Sequence, residues 1–168
     1  MKLSPEGVDL LKWIEQPRLK PYDDQTSKPI TAWCKGATIG YGHLISAADW
    51  SLYKDGIDVE EMEELFYDDL TPREKVVNET ITVPLEQRQY DALILLLYNL
   101  GTRQFQTSLA IKMINDPSAK TAFSSLENAW KAFNKTSSPE KGTYISKGLV
   151  NRRAAEWKLY STGTYGRW

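Results

Sequence analysis

A mostly α fold of the α+β class, with a small β lobe inserted after the first helix, is predicted by three observations. An apolar repeat of helical period near the N-terminus is bracketed by Ser4-Pro5 and Pro17. β-formers and glycines then alternate through Thr38-Ile39-Gly40-Tyr41-Gly42. Beyond Asp58 the pattern returns to helical spacing, and residues 85–100 are apolar on nearly every face, as in a buried central helix.

Each element follows from local chemistry. Ser4 is placed to cap a helix that has Pro5 at its first position and Glu6 in its first turn. Val8, Leu11 and Ile14 repeat along one face. Pro17 ends the helix, because a residue before proline is pushed out of the α region. From Arg18 to Ile45 two or three short strands are expected, with a long connection over residues 24–35. The two glycines weaken a plain strand and point to a bend or a close backbone approach. A short helix should begin around Ser46 to Trp50 and end near Gly56. Asp58 with Glu61 marks the start of a long helix running to about Glu79, which Pro72 is expected to kink or split. Helices follow over residues 85–100, stopped by Gly101, then 108–115, 119–134 and 148–160. The stretch 135–142, KTSSPEKG, has the chemistry of a loop. The expected organisation is one domain over residues 1–168. Residues 15–57 form the small β lobe, and 1–14 with 58–168 form the helical lobe joined to it by the long helix.

Composition removes several classes of function. A chain of 168 residues, 41% hydrophobic and 26% charged, can bury a sizeable core. The formal net charge of −1 gives no basic footprint for nucleic acid. Cys34 stands alone, so no internal disulfide is possible, and no histidine neighbours it in sequence to activate a thiolate. With His43 the only histidine, no metal site and no cofactor are expected. The N-terminus lacks the basic and apolar segments of a signal peptide, and the longest apolar run, residues 92–98, is too short to span a bilayer. A soluble protein with no export signal of its own and no membrane insertion is therefore expected.

The chemistry concentrates in residues 15–43. Glu15 falls on the last turn of the first helix, where the macrodipole disfavours a carboxylate. Helix design does not call for it there, although a solvated surface glutamate remains the plain alternative. Asp24 and Thr38 bring a second carboxylate and a hydroxyl to the strand region. A carboxyl beside Trp13 and Ile14 suits a raised pKa and proton donation, and a carboxylate plus a hydroxyl suits holding a water molecule.

This pattern, Glu15, then Asp24 and Thr38-Ile39-Gly40-Tyr41-Gly42-His43 ahead of a helical half, resembles the phage-type (T4-like) lysozymes, muramidases of the phage endolysin group. The resemblance continues through residues 58–70, 96–101, 148–157 and 162–164. It implies a lysozyme-like fold and hydrolysis, with inversion, of the β-1,4 bond between N-acetylmuramic acid and N-acetylglucosamine of peptidoglycan. Glu15 matches the family's general acid, Asp24 the second carboxylate and Thr38 the catalytic threonine. Asp24 and Thr38 stand fourteen positions apart, longer than in simpler members. The neighbouring Asp23 therefore competes with Asp24.

Arg152 matches an arginine that closes on the acid, or else is surface charge together with Arg153. Asn99, Phe105 and Ser108 are candidates to line a saccharide cleft, while Ser108 also reads as a helix cap. His43 is read as structural, paired with Asp69 on the long helix. The resemblance further implies a monomeric endolysin held in the host cytoplasm. It would reach the periplasm and cell wall once a holin opens the membrane. Two other readings stand beside it: the lysozyme domain of a bacteriocin or tail or secretion effector, and a peptidoglycan-binding module without catalysis.

Overall fold

The computed structural model describes residues 1–138 and 140–168. It divides into two compact units, residues 11–72 and residues 1–10 with 73–168.

The first helix, α1 (Pro5–Glu15), begins as expected, with the Gly7 amide donating to Ser4 Oγ at 3.0 Å. It ends at Glu15, and Gln16 follows at φ +46°, a left-handed backbone that costs a non-glycine residue about 1 kcal/mol. The chain then enters the sheet of the 11–72 unit: β1 (Arg18–Asp23), β2 (Ala37–Gly40) and β3 (His43–Leu44), antiparallel in that order. Tyr22 lies opposite Thr38, and Thr38 opposite Leu44. Residues 38–42 are not one strand. Gly40 and Gly42 take φ of +61° and +88° and turn the chain between β2 and β3.

A short helix, α2 (Trp50–Tyr53), precedes α3 (Val59–Thr80). The start of α3 carries the expected reciprocal cap: Glu61 N donates to Asp58 Oδ1 and Asp58 N to Glu61 Oε2, both at 2.9 Å. Pro72 lies inside α3 without splitting it. The core of this unit is Leu11, Ile39, Tyr41, Ile45, Met62, Phe66 and Leu70, all buried. Lys12 pairs with Glu63 and sits 4.8 Å from the Phe66 ring centroid. His43 Nδ1 meets Asp69 Oδ2 at 3.1 Å, the pairing expected from the sequence.

The other unit is built on α4 (Gln87–Leu100), whose residues Tyr90 to Leu97 are all buried. It packs on α8 (Lys147–Thr162). Between them come α5 (Thr102–Gln106), α6 (Leu109–Asn115) and α7 (Leu126–Lys131). Residues 119–125 are not helical, contrary to expectation. Thr121 Oγ1 binds the Phe123 amide and Ser125 caps α7, so local hydroxyls compete for the backbone. The expected loop at 135–142 is instead most of a hairpin, β4 (Lys135–Ser138) with β5 (Gly142–Ile145); Pro139 lies outside the described residues. Glu140 and Lys141 lie in the turn, while Thr136, Thr143, Tyr144 and Ile145 favour strand. No helix among the described residues is long and apolar enough to cross a membrane.

Candidate active site

The 11–72 unit holds Glu15, Asp24 and Thr38 together with the segment that joins them. Glu15 is the last helical residue of α1 and half-buried, and the backbone reverses directly after it at Gln16. Asp24 follows directly on β1 and is solvent-exposed. Thr38 is the second residue of β2 and is 2% exposed.

One carbonyl ties the second carboxylate to the hydroxyl. Gly36 O accepts the Asp24 amide at 3.0 Å and the Thr38 hydroxyl at 2.9 Å. Thr38 Oγ1 thus uses its proton on the backbone and keeps its lone pairs, which makes it an acceptor for a water proton. Gly36 has φ +99°, and its missing side chain leaves the space the Asp24 carboxylate fills. A Cβ there would come to Asp24 Cγ at 3.2 Å and closer still to Oδ1.

Asp23 is placed differently from Asp24. Its Oδ1 accepts the Gln25 amide at 3.0 Å and its Oδ2 the Thr26 hydroxyl at 2.8 Å. The Thr26 bond first, and the Gln25 amide second, hold its carboxyl below the usual range. Asp23 is therefore a turn-forming acceptor, engaged at both oxygens. Tyr22 lies opposite Thr38 on the neighbouring strand. Burial lifts its phenol above the ordinary value, the Arg18 guanidinium over its ring pulls it back, and Glu15 and then Asp24 add to the rise.

The remaining candidates belong to the helical unit. Asn99 is exposed and lines a recess of about 270 Å³ with Leu100, Gln104, Phe133, Lys135, Thr136 and Leu149. Phe105 has no accessible surface, so its ring anchors α5 from within and is not a direct saccharide contact. Ser108 caps α6 through the Ile111 amide at 3.2 Å, its alternative role in the sequence reading. Arg152 is buried, not surface charge: its Nε donates to Glu156 Oε1 at 3.0 Å and its Nη2 to Leu95 O at 3.2 Å. Arg153 is wholly buried and donates to the same Glu156 oxygen at 2.7 Å.

Sequence reasoning missed Gly36, Gln104, Lys135 and Thr136. Gly36 had one cue, a glycine just before the strand; the others lie on segments whose fold was not foreseen.

Against known proteins, the sequence pattern of the phage lysozyme family matches residues 12–156. The endolysin of Bacillus phage PZA is 32% identical over 164 residues, 98% of this chain and 57% of that protein. The endolysin of Acyrthosiphon pisum secondary endosymbiont phage 1 is 31% identical, covering 96% of this chain and 99% of its own length. The chain thus spans little more than half of the first relative and nearly all of the second. Among solved structures, the endolysin from Escherichia coli O157:H7 phage FAHEc1 superposes with a TM-score of 0.76 at 28% identity, over 99% of this chain and 98% of that one.

Proposed function

Since the chain belongs to the phage lysozyme family, we propose that it is an endolysin that hydrolyses the β-1,4 bond between N-acetylmuramic acid and N-acetylglucosamine in peptidoglycan, with inversion. The observation that supports the proposal is the shared Gly36 carbonyl, which accepts both the Asp24 backbone amide and the Thr38 hydroxyl and so links the two residues that would hold the water. Glu15 gives its proton to the departing glycosidic oxygen as the C1–O bond breaks. A water molecule held by Asp24 and Thr38 forms the new C1–O bond from the opposite face, and its proton passes to Asp24. Solvent then reprotonates Glu15 and takes the proton from Asp24.

Direct attack by Asp24 would leave Thr38 without a task, which favours water as the nucleophile. Asn99, on its polar recess, is a proposed substrate contact of the helical unit, whereas Arg152 is buried on Glu156 and Leu95 O. We propose with it a delivery scheme in which a monomer in the host cytoplasm reaches the wall through a holin-made lesion.

Clearing of chloroform-treated Gram-negative cells by wild type and by Glu15→Gln tests the reading. Wild type should clear the suspension and the variant should fold yet fail. Near-wild-type turnover by the variant refutes Glu15 as the acid. Wild-type protein that coats the wall without clearing it is a binding module.

A further inference from the structure

The connection from Asp24 to Gly36 carries an aromatic residue that the mechanism above does not use. Trp33 is 43% exposed, unusual for the largest apolar side chain. Its indole Nε1 donates to Ile45 O at 2.9 Å. Ile45 N in turn donates to Ala37 O at 2.7 Å, so the ring is tied to the strand pair that carries Thr38. The edge of the ring is fixed and much of the ring is left open. Gly36 is three positions beyond Trp33, a reach of about 10 Å at most, which is the span of two linked pyranose rings. Thr31 and Lys35, both exposed, add polar groups along the same segment.

We propose that Trp33 is a saccharide-stacking platform, a specificity residue that binds a sugar ring one or two units from the bond held at Asp24 and Thr38. This deepens the peptidoglycan reading and rests on it for the choice of glycan. A pyranose presents a face of C–H groups, slightly positive and apolar, and the indole presents a negative π face of large area. Fixing the ring beforehand removes the rotamer entropy that binding would otherwise have to overcome. A ring serving only as a strut for the loop needs its N–H and no open face.

The test uses Trp33→Phe and Trp33→Ala, each made alone and on Glu15→Gln. The substrate is solubilised, uncrosslinked glycan strands. Phe keeps a flat ring and loses the N–H; Ala loses both. Trp33→Ala should raise KM about tenfold with kcat within about twofold, while Trp33→Phe stays within about threefold of the wild-type KM. Both should melt at similar temperatures, since both lose the bond to Ile45. On Glu15→Gln, the added Trp33→Ala should weaken strand binding by the same factor. An unchanged KM in Trp33→Ala overturns the platform. So does a Phe variant as impaired as the Ala variant, which makes Trp33 a strut. If Glu15→Gln stays active, the catalytic reading fails, and strand binding by the paired variants still decides the role of Trp33.

Discussion

Replacing Gly36 by alanine separates the position of Asp24 from the stability of its unit. The backbone at Gly36 has φ +99°, and forcing an L-residue into such a region costs about 1–2 kcal/mol. At about 2–4 °C per kcal/mol for a chain of this size, melting should fall by about 2–8 °C. The new methyl would overlap Asp24 Oδ1 well inside 3.0 Å, an approach real Cβ atoms do not make, so the carboxylate must retreat. A displacement on the order of 1 Å costs about a hundredfold in rate when the group positions a reacting atom. Gly56→Ala is the control. Its φ is +93° and its Cβ would meet Leu19 O at 2.6 Å, a comparable strain with no contact to Asp24. Circular dichroism melts and turbidity clearing at a temperature where both variants are folded give the two readouts. Gly56→Ala should lose stability and keep its turnover; Gly36→Ala should lose about a hundredfold in turnover. Equal turnover in the two would refute the claim that Gly36 places Asp24 for the reaction.

Asp23→Ala should keep turnover within a few-fold, whereas Asp24→Ala should abolish it; the opposite ranking in the clearing assay would exchange their roles. Asp23 has a lowered folded pKa, so its stabilising effect is present above the unfolded carboxylate value and fades as pH falls through the folded one, and Asp23→Ala should flatten that acid slope in melting experiments. The β-linked substrate should yield the α-anomer first, read by NMR of the anomeric proton before mutarotation; a β-anomer or a glycosyl adduct on Asp24 would contradict the use of Thr38. Tyr165, whose phenol is raised to about 12 by burial and then by its bond to Asp91, adds stability that is full below pH 10.0 and lost as pH rises through the folded value. Tyr165→Phe should therefore show a shallower alkaline loss in urea unfolding.

Helix ends were legible because their signals are local. Ser4 and Asp58 act on the few backbone groups after them and Gly101 on those before it, whatever the rest of the chain does. Glu15 was legible for a related reason, since Pro17 fixes where the helix must stop. The stretch 119–125 misled because its composition allows a helix, while its hydroxyls find backbone partners that the periodicity cannot reveal. The β4–β5 hairpin misled because the sequence KTSSPEKG reads as a linker until its flanks pair. Gly36 was hidden for a deeper reason: its importance is the volume it leaves to a side chain twelve positions away. Which of Asp23 and Asp24 the turn engages was likewise hidden, because it is a question of hydrogen bonding and not of motif.

The hydrogen bond from Asp24 N to Gly36 O also closes residues 25–35 into a loop anchored at its two ends. Lengthening such a loop costs only a slow logarithm of its length, about 0.6 kcal/mol per doubling. Under the proposed mechanism the chemistry lies at the anchor, so the exposed parts of the loop away from the Trp33 tie to Ile45 can vary in length and sequence under a different selective pressure. Relatives with other walls to cut are then expected to vary this segment first. Grafting a foreign loop between Asp24 and Gly36 offers a way to change what the protein grips while leaving how it cuts untouched.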